Sequence, residues 1–134
     1  MATREDLESY MIRLGVEAEE VADGMWILRA PDSPAVVIQL SPPVLVLRLK
    51  VMEVPERTDE KRLLALYRRL LELNATDIVH GSYGIEGDDV ILSDALELET
   101  LDYLELQNSY ESLVFAATTH TPGLADLVLV AHEG

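Results

Sequence analysis

Three histidines and several close-set carboxylates are the side chains of this sequence best suited to acid–base or metal chemistry. With no cysteine there is no thiolate nucleophile and no thiolate metal site. His80, His120 and His132 fall in no H-E-x-x-H spacing, and none neighbours a serine in a nucleophile-elbow context. His80 precedes Gly81 in a strand-like run. His120 comes near the end of a predicted helix, where a protonated ring would favour the dipole. All three read as structural, because a titrating imidazole becomes catalytic only inside a built site.

The carboxylates pair as Asp88-Asp89, Glu97 with Glu99, and Asp102 with Glu105. Glu99, Asp102 and Glu105 at i, i+3 and i+6 could line one helix side and hold Mg²⁺ or Ca²⁺. A divalent-cation-dependent sensor or enzyme built on Asp88, Asp89, Glu99 and Asp102 is therefore the alternative reading. The preferred one is a solvated acidic face, since acids in a first helical turn suit the macrodipole alone. Gly81-Ser82-Tyr83-Gly84-Ile85-Glu86-Gly87 spaces its glycines as G-x-x-G-x-x-G, not as a phosphate loop, and no lysine follows it. Gly81 and Gly84 then mark a bulge or close backbone packing, and Gly87 a turn with positive φ. Trp26 reads as core before it reads as a partner's anchor. The expectation is no catalytic residue, no cofactor and no metal ligand.

Charge sharpens the exclusions. All ten Lys and Arg lie in the first 69 positions, where twelve acids nearly balance them, and the remaining 65 residues carry thirteen acids alone. A net charge of −15 repels nucleic acid and anionic lipid. A weaker reading makes the acidic half a mimic of nucleic acid, which predicts salt-sensitive binding. No apolar run spans a bilayer, since Arg48, Lys50 and Glu53 break the longest, over 44–54. The N-terminus has no signal-peptide core. A cytoplasmic protein of one domain, residues 1–134, is the expectation.

The elements that must position these residues follow from periodicity. A helix is predicted over 3–14, capped by Thr3 with Asp6 and ended at Gly15. Period-two runs over 16–21, 25–29, 35–40 and 44–54 are separated by turn signals, which predicts an antiparallel meander. In the last run Leu45, Leu47, Leu49 and Val51 share a face, with Arg48 and Lys50 opposite. A second helix is predicted over 58–73, capped by Thr58 and ended at Asn74. Its leucines and Tyr67 cover an arc of about 180°, wider than the ~100° one sheet requires. The expectation is that Leu64, Tyr67 and Leu71 cover the sheet while Leu66, Leu70 and Leu73 meet a second copy or another partner. Strands over 77–85 and 90–92 follow, joined by a Glu86-Gly87-Asp88-Asp89 turn. A third helix begins near Thr100, with Tyr103, Leu106, Tyr110, Leu113, Val114 and Ala117 as its core stripe. It ends at Thr121-Pro122-Gly123, and residues 124–131 form a terminal element of unassigned type.

Several phrases in this order resemble the YbjN-like family of small bacterial proteins, which share a fold with type III secretion chaperones. They are Met25-Trp26-Ile27-Leu28, Val51-Met52-Glu53-Val54-Pro55, Leu70-Leu71-Glu72-Leu73-Asn74, His80-Gly81-Ser82-Tyr83-Gly84-Ile85 with Val90-Ile91-Leu92, and Ala95-Leu96-Glu97-Leu98-Glu99-Thr100-Leu101-Asp102. The resemblance covers about residues 3–120. It implies an α+β domain of order α-β-β-β-(β)-α-β-β-α, with helices packed on one twisted antiparallel sheet. It further implies homodimerisation, no catalytic residues, and a partner protein bound through apolar patches and sheet edges. The expected function is a non-enzymatic chaperone-like adaptor, or a regulator of stress or motility type.

Overall fold

The computed structural model describes residues 1–129. His132 and the end of the 124–131 segment lie outside the described residues. The chain runs α1 (Arg4–Leu14), β1 (Glu17–Ala22), β2 (Met25–Arg29), β3 (Val36–Ser41), β4 (Val44–Glu53), α2 (Glu60–Thr76), β5 (Ser82–Glu86), β6 (Asp89–Glu97), α3 (Tyr103–Val128). The six strands form one antiparallel sheet in the order β1-β2-β3-β4-β6-β5. The expected α+β architecture, with helices on one sheet, is therefore present, and the optional fourth strand of the meander exists as β1.

The sheet is two-faced because its strands alternate. Trp26 and Leu28, Val36 and Ile38, Leu45, Leu47 and Leu49, and Val90 and Leu92 are buried on the side that the helices cover. The opposite side carries half-exposed Ile27, Val37, Val46 and Ile91 with Arg48 and Lys50. The alternation in β4 holds to Leu49; a bulge between Lys50 and Met52 then leaves Val51 half-buried at the end of the stripe.

Local chemistry sets the ends of the elements. Thr3 and Asp6 form a reciprocal capping box at α1, and Gly15 closes it at φ 73°. The Asp6 carboxyl lies below its usual range because the Thr3 backbone N–H donates to it. At α2 the cap is Asp59 rather than the expected Thr58: Asp59 accepts from the Arg62 N–H at 2.9 Å, while the Thr58 hydroxyl donates to the Pro55 carbonyl at 2.7 Å. Asn74 does not end α2. The helix continues to Thr76, because the Asn74 side chain has another task, described below.

Three further boundaries differ from expectation. β5 starts at Ser82, not 77, because residues 77–81 form the turn that leaves α2 at Thr76, and Gly81 makes the entry to the strand at φ 78°. A Cβ at Gly81 would lie 2.2 Å from the Ser93 carbonyl oxygen, so close backbone approach demands glycine there. β6 extends over 89–97 and pairs with β4 along its length; its Ser93, Asp94 and Glu97 disguised an alternation that continues through Val90, Leu92 and Leu96. The β5–β6 connection is the expected tight hairpin, Gly87-Asp88, with Gly87 at φ 59°. Finally, α3 does not stop at Thr121-Pro122-Gly123. It runs through Pro122, which has no N–H to offer the Thr118 carbonyl, and ends at Val128. Burial of Leu124 and Val128 beyond the proline offsets a penalty of about 3 kcal/mol.

Candidate partner-binding surfaces

The apolar residues that α2 leaves exposed are those expected to cover the sheet, and the ones expected at an interface are buried. Leu66, Leu70 and Leu73 are 0, 4 and 1 % exposed and belong to the core, whereas Leu64, Tyr67 and Leu71 are 64, 40 and 68 % exposed. The wide apolar arc is real, but its two halves are exchanged. Both halves are wholly apolar or aromatic, so periodicity could not rank them. Packing does: one flank of α2 lies against α3 and the sheet, and the other leans outward beside β5. The outward stripe continues over a shallow apolar groove of about 260 Å³ floored by Leu70, Tyr83 and Gly84 and edged by exposed Ile85.

Asn74 stands at this boundary. In the β5–β6 ladder the two-residue hairpin makes Glu86, Gly84 and Ser82 the strand-paired positions, so the backbone groups of Tyr83 point to the free edge. The Asn74 amide takes both: the Tyr83 N–H donates to its Oδ1 at 2.7 Å, and its Nδ2 donates to the Tyr83 carbonyl at 3.3 Å. A side chain thus fills the place of a neighbouring strand. On the other side Tyr83 is buried, and its hydroxyl lies 2.7 Å from His120 Nδ1. Burial, then the Asp77 charge, hold that hydroxyl far above its usual pKa, so it keeps its proton. On the far side of the ring, His120 Nε2 faces Asp77 Oδ2 at 3.4 Å. His120 therefore ties β5, α3 and the end of α2 together, as a structural histidine would.

At the far end of the sheet the arrangement is different. Every residue of β1 is exposed, and among the described residues its outer edge has no strand partner. Between β1 and α1 lies an open groove of about 340 Å³, with Met11, Val16 and Trp26 in its floor and Glu8, Ile12 and Glu20 at its rim. Arg4 organises the rim: it reaches Glu8 at 3.2 Å, Asp23 at 2.9 Å and the Glu20 carboxylate, and lies over the Trp26 ring at 5.4 Å. Hydrogen bonding to Glu20 raises the already high Arg4 pKa. Trp26 is core, with one edge lining the groove. Ile12 was a readable signal, an apolar residue in α1 off the Leu7-Tyr10-Met11-Leu14 stripe; it is 79 % exposed.

The acidic residues of the cation reading are not brought together. Asp102 caps α3 by accepting from the Glu105 N–H at 2.8 Å, Asp89 pairs with Lys50 at 3.3 Å, and Asp88 and Glu99 are exposed. Among the described residues no group of three His, Asp or Glu could hold a metal ion. Nor, among them, is any helix long and apolar enough to cross a membrane.

Comparison with known proteins agrees with this geometry. A chain of the ExoU–SpcU complex from the type III secretion system of Pseudomonas aeruginosa superposes with TM-score 0.67 at 13 % identity, over 87 % of this chain and 95 % of that one. YbjN from E. coli superposes with TM-score 0.64 at 16 % identity, over 90 % and 93 %. The Yersinia pestis type III secretion chaperone SycH, in complex with a fragment of YscM2, gives TM-score 0.60 at 20 % identity, over 86 % and 96 %. At such identities the likeness is one of fold. No curated protein sequence matches the chain. The CesT_Tir_1 family model matches residues 1–130, and the chain belongs to that family, with the YbjN-like, secretion-chaperone fold that its sequence resembles.

Proposed function

We propose that this protein is a non-enzymatic, chaperone-like adaptor of the cytoplasm, a single domain that binds an extended segment of a partner protein at the β1 edge. The observation that carries the reading is the difference between the sheet's two edges. β5 is occupied by the Asn74 amide, while β1 is free and flanked by an apolar groove. A segment laid along β1 would find backbone hydrogen-bonding groups at the edge and places for alternate side chains in the groove. The complexes of related fold, SpcU with ExoU and SycH with a fragment of YscM2, support this reading. Glu8 and Glu20 at the rim, with Glu17 and Glu19 on the strand, favour a segment whose polar residues are basic.

The outward stripe Leu64, Tyr67 and Leu71 supports a second element of the proposal, a homodimer. Leu64 and Leu71 lie symmetrically about the Tyr67-Arg68 step, so two antiparallel copies of α2 could bring each leucine against the other's partner in an isologous contact. Leu66, Leu70 and Leu73 are committed to the core and take no part in it.

Both parts are open to direct tests. A basic, leucine-containing peptide should slow hydrogen exchange in residues 17–22, and Ile12→Glu should remove that protection. Equal protection of the two edge strands, or none at β1, would count against strand addition. Light scattering should give a dimer at high micromolar concentration and a monomer for Leu71→Glu; a monomeric parent protein would end the dimer proposal.

A further inference from the structure

Arg4 stands where the helix dipole disfavours it. It is the first residue of α1, and a cation in a first turn faces the positive end of the helix. The cap does not need its side chain, since Thr3 and Asp6 make the capping box through backbone N–H groups. What holds the guanidinium comes from four places in the fold. Glu8 of α1 lies at 3.2 Å, Asp23 of the β1–β2 turn at 2.9 Å, Glu20 of β1 is in contact, and the Trp26 ring of β2 lies beneath at 5.4 Å. No other cation among the described residues pairs with three acids.

Three carboxylates over an indole face form a seat for one planar cation. Part of that seat is fixed without Arg4. Glu20 Oε2 also accepts from the Gly24 N–H at 3.1 Å, and Trp26 is held in the core. The occupant is less constrained, a side chain 41 % exposed at a helix end. One guanidinium against three acids leaves the seat with two uncompensated negative charges.

The seat opens on the groove beside β1, because Glu8, Glu20 and Trp26 also line that groove. Val16, Ala18 and Glu20 present alternate side chains to it. A segment laid along the β1 edge sets its own alternate side chains over the same groove, so one of them arrives beside Glu20.

We infer that Arg4 is an internal occupant of the place taken by an arginine of the partner segment, and that the partner's arginine displaces it. This rests on the β1-edge reading and names the side chain that the groove selects. Arginine suits the seat better than lysine, since its planar fork meets carboxylates in pairs and stacks on a ring. Arg4 thereby sets a threshold. A segment without arginine meets a rim already partly neutralised, and a segment with one gains only the difference between its own contacts and those that Arg4 gives up.

The test uses the full chain and three peptides with the same leucines, carrying arginine, lysine or glutamine at the remaining positions. Trp26 is the only tryptophan of the chain, so its emission reports binding at the groove. At low salt, Arg4→Gln is expected to bind the arginine peptide about tenfold tighter than the parent protein. The lysine peptide should gain less and the glutamine peptide nothing. Glu20→Gln breaks the same ion pair, yet it should weaken the arginine peptide, which separates an emptied seat from a loosened strand. Equal or weaker binding of the arginine peptide to Arg4→Gln overturns the inference, as does tighter binding to Glu20→Gln or unchanged Trp26 emission. Hydrogen exchange in residues 17–22 reads the underlying proposal separately. Protection by the glutamine peptide upholds the β1 edge even where Arg4→Gln brings no gain, whereas no protection with any peptide removes the β1-edge reading and this inference with it.

Discussion

The two edges of the sheet differ in how their backbone is satisfied, and the difference follows from the helix beside each. β5 is short and bolted: Asn74 holds its free edge, Tyr83 is buried beneath α2, and the Tyr83 hydroxyl reaches His120 on α3. β1 has no buried residue and is held by its ladder to β2 and by exposed ion pairs, Arg4 to Glu20 and Arg29 to Glu19. Natural sheets manage exposed edges by covering or charging them. Here one edge is covered by a side-chain amide, and the other carries glutamates and stays available. Closure at one end thus gives direction to whatever the sheet binds.

The largest effect should come from the helix that guards β5. Leu66→Ala removes a fully buried side chain and should cost about 2–5 kcal/mol in chemical denaturation. Leu71→Ala on the outward stripe should change monomer stability by no more than about 0.5 kcal/mol. Equal costs would dissolve the division of α2 into two faces. Next, Asn74→Ala leaves the Tyr83 N–H and carbonyl without partners and should cost about 1–3 kcal/mol. It should also open the β5 edge, seen as concentration-dependent association that the parent protein lacks at the same strand.

Tyr83→Phe should cost about 1 kcal/mol by removing the bond to His120. The pH dependence gives a separate handle on the same residue. Because the folded-state pKa of Tyr83 is raised, the stability it contributes is full below the ordinary value of 10.0 and is lost as pH rises through the folded value. The parent protein should therefore lose stability above pH 10, and Tyr83→Phe should lose less. The acid limb has the opposite sign. Asp6 and Asp59 are lowered by backbone N–H donors, so their contribution is full above the ordinary 3.8 and disappears as pH falls through the lower folded values. The smallest change should come from Tyr110→Phe. The Tyr110 hydroxyl is buried without a hydrogen-bond partner among the described residues, and burial raises its pKa. Removing it should leave stability unchanged or raise it by up to about 1 kcal/mol, in contrast to Tyr83.

Most of the fold was legible because its signals are local. The capping box at Thr3, Gly15, the alternation of β4 and the Gly87-Asp88 hairpin each depend on neighbours within a few residues. What escaped depends on distant partners. Which half of α2 is buried is decided by α3 and β5, both later in the chain. Asn74 looked like a helix terminator because its true partner, the Tyr83 backbone, is nine positions away and carries no side-chain signature. Pro122 looked like a stop because the gain from Leu124 and Val128 comes from tertiary packing. At the candidate surfaces, Ile12 was visible as an apolar outlier in α1.

The Asn74 amide also bears on growth. An extended β polymer requires each molecule to offer two joining ends, a donor edge and an acceptor edge, repeated without limit. With the Tyr83 position already satisfied from within, stacking β1 of one molecule on β5 of the next has no vacant register at that point. Asn74 thus withdraws one position of β5 from any such stack, and each further molecule would have to join around it.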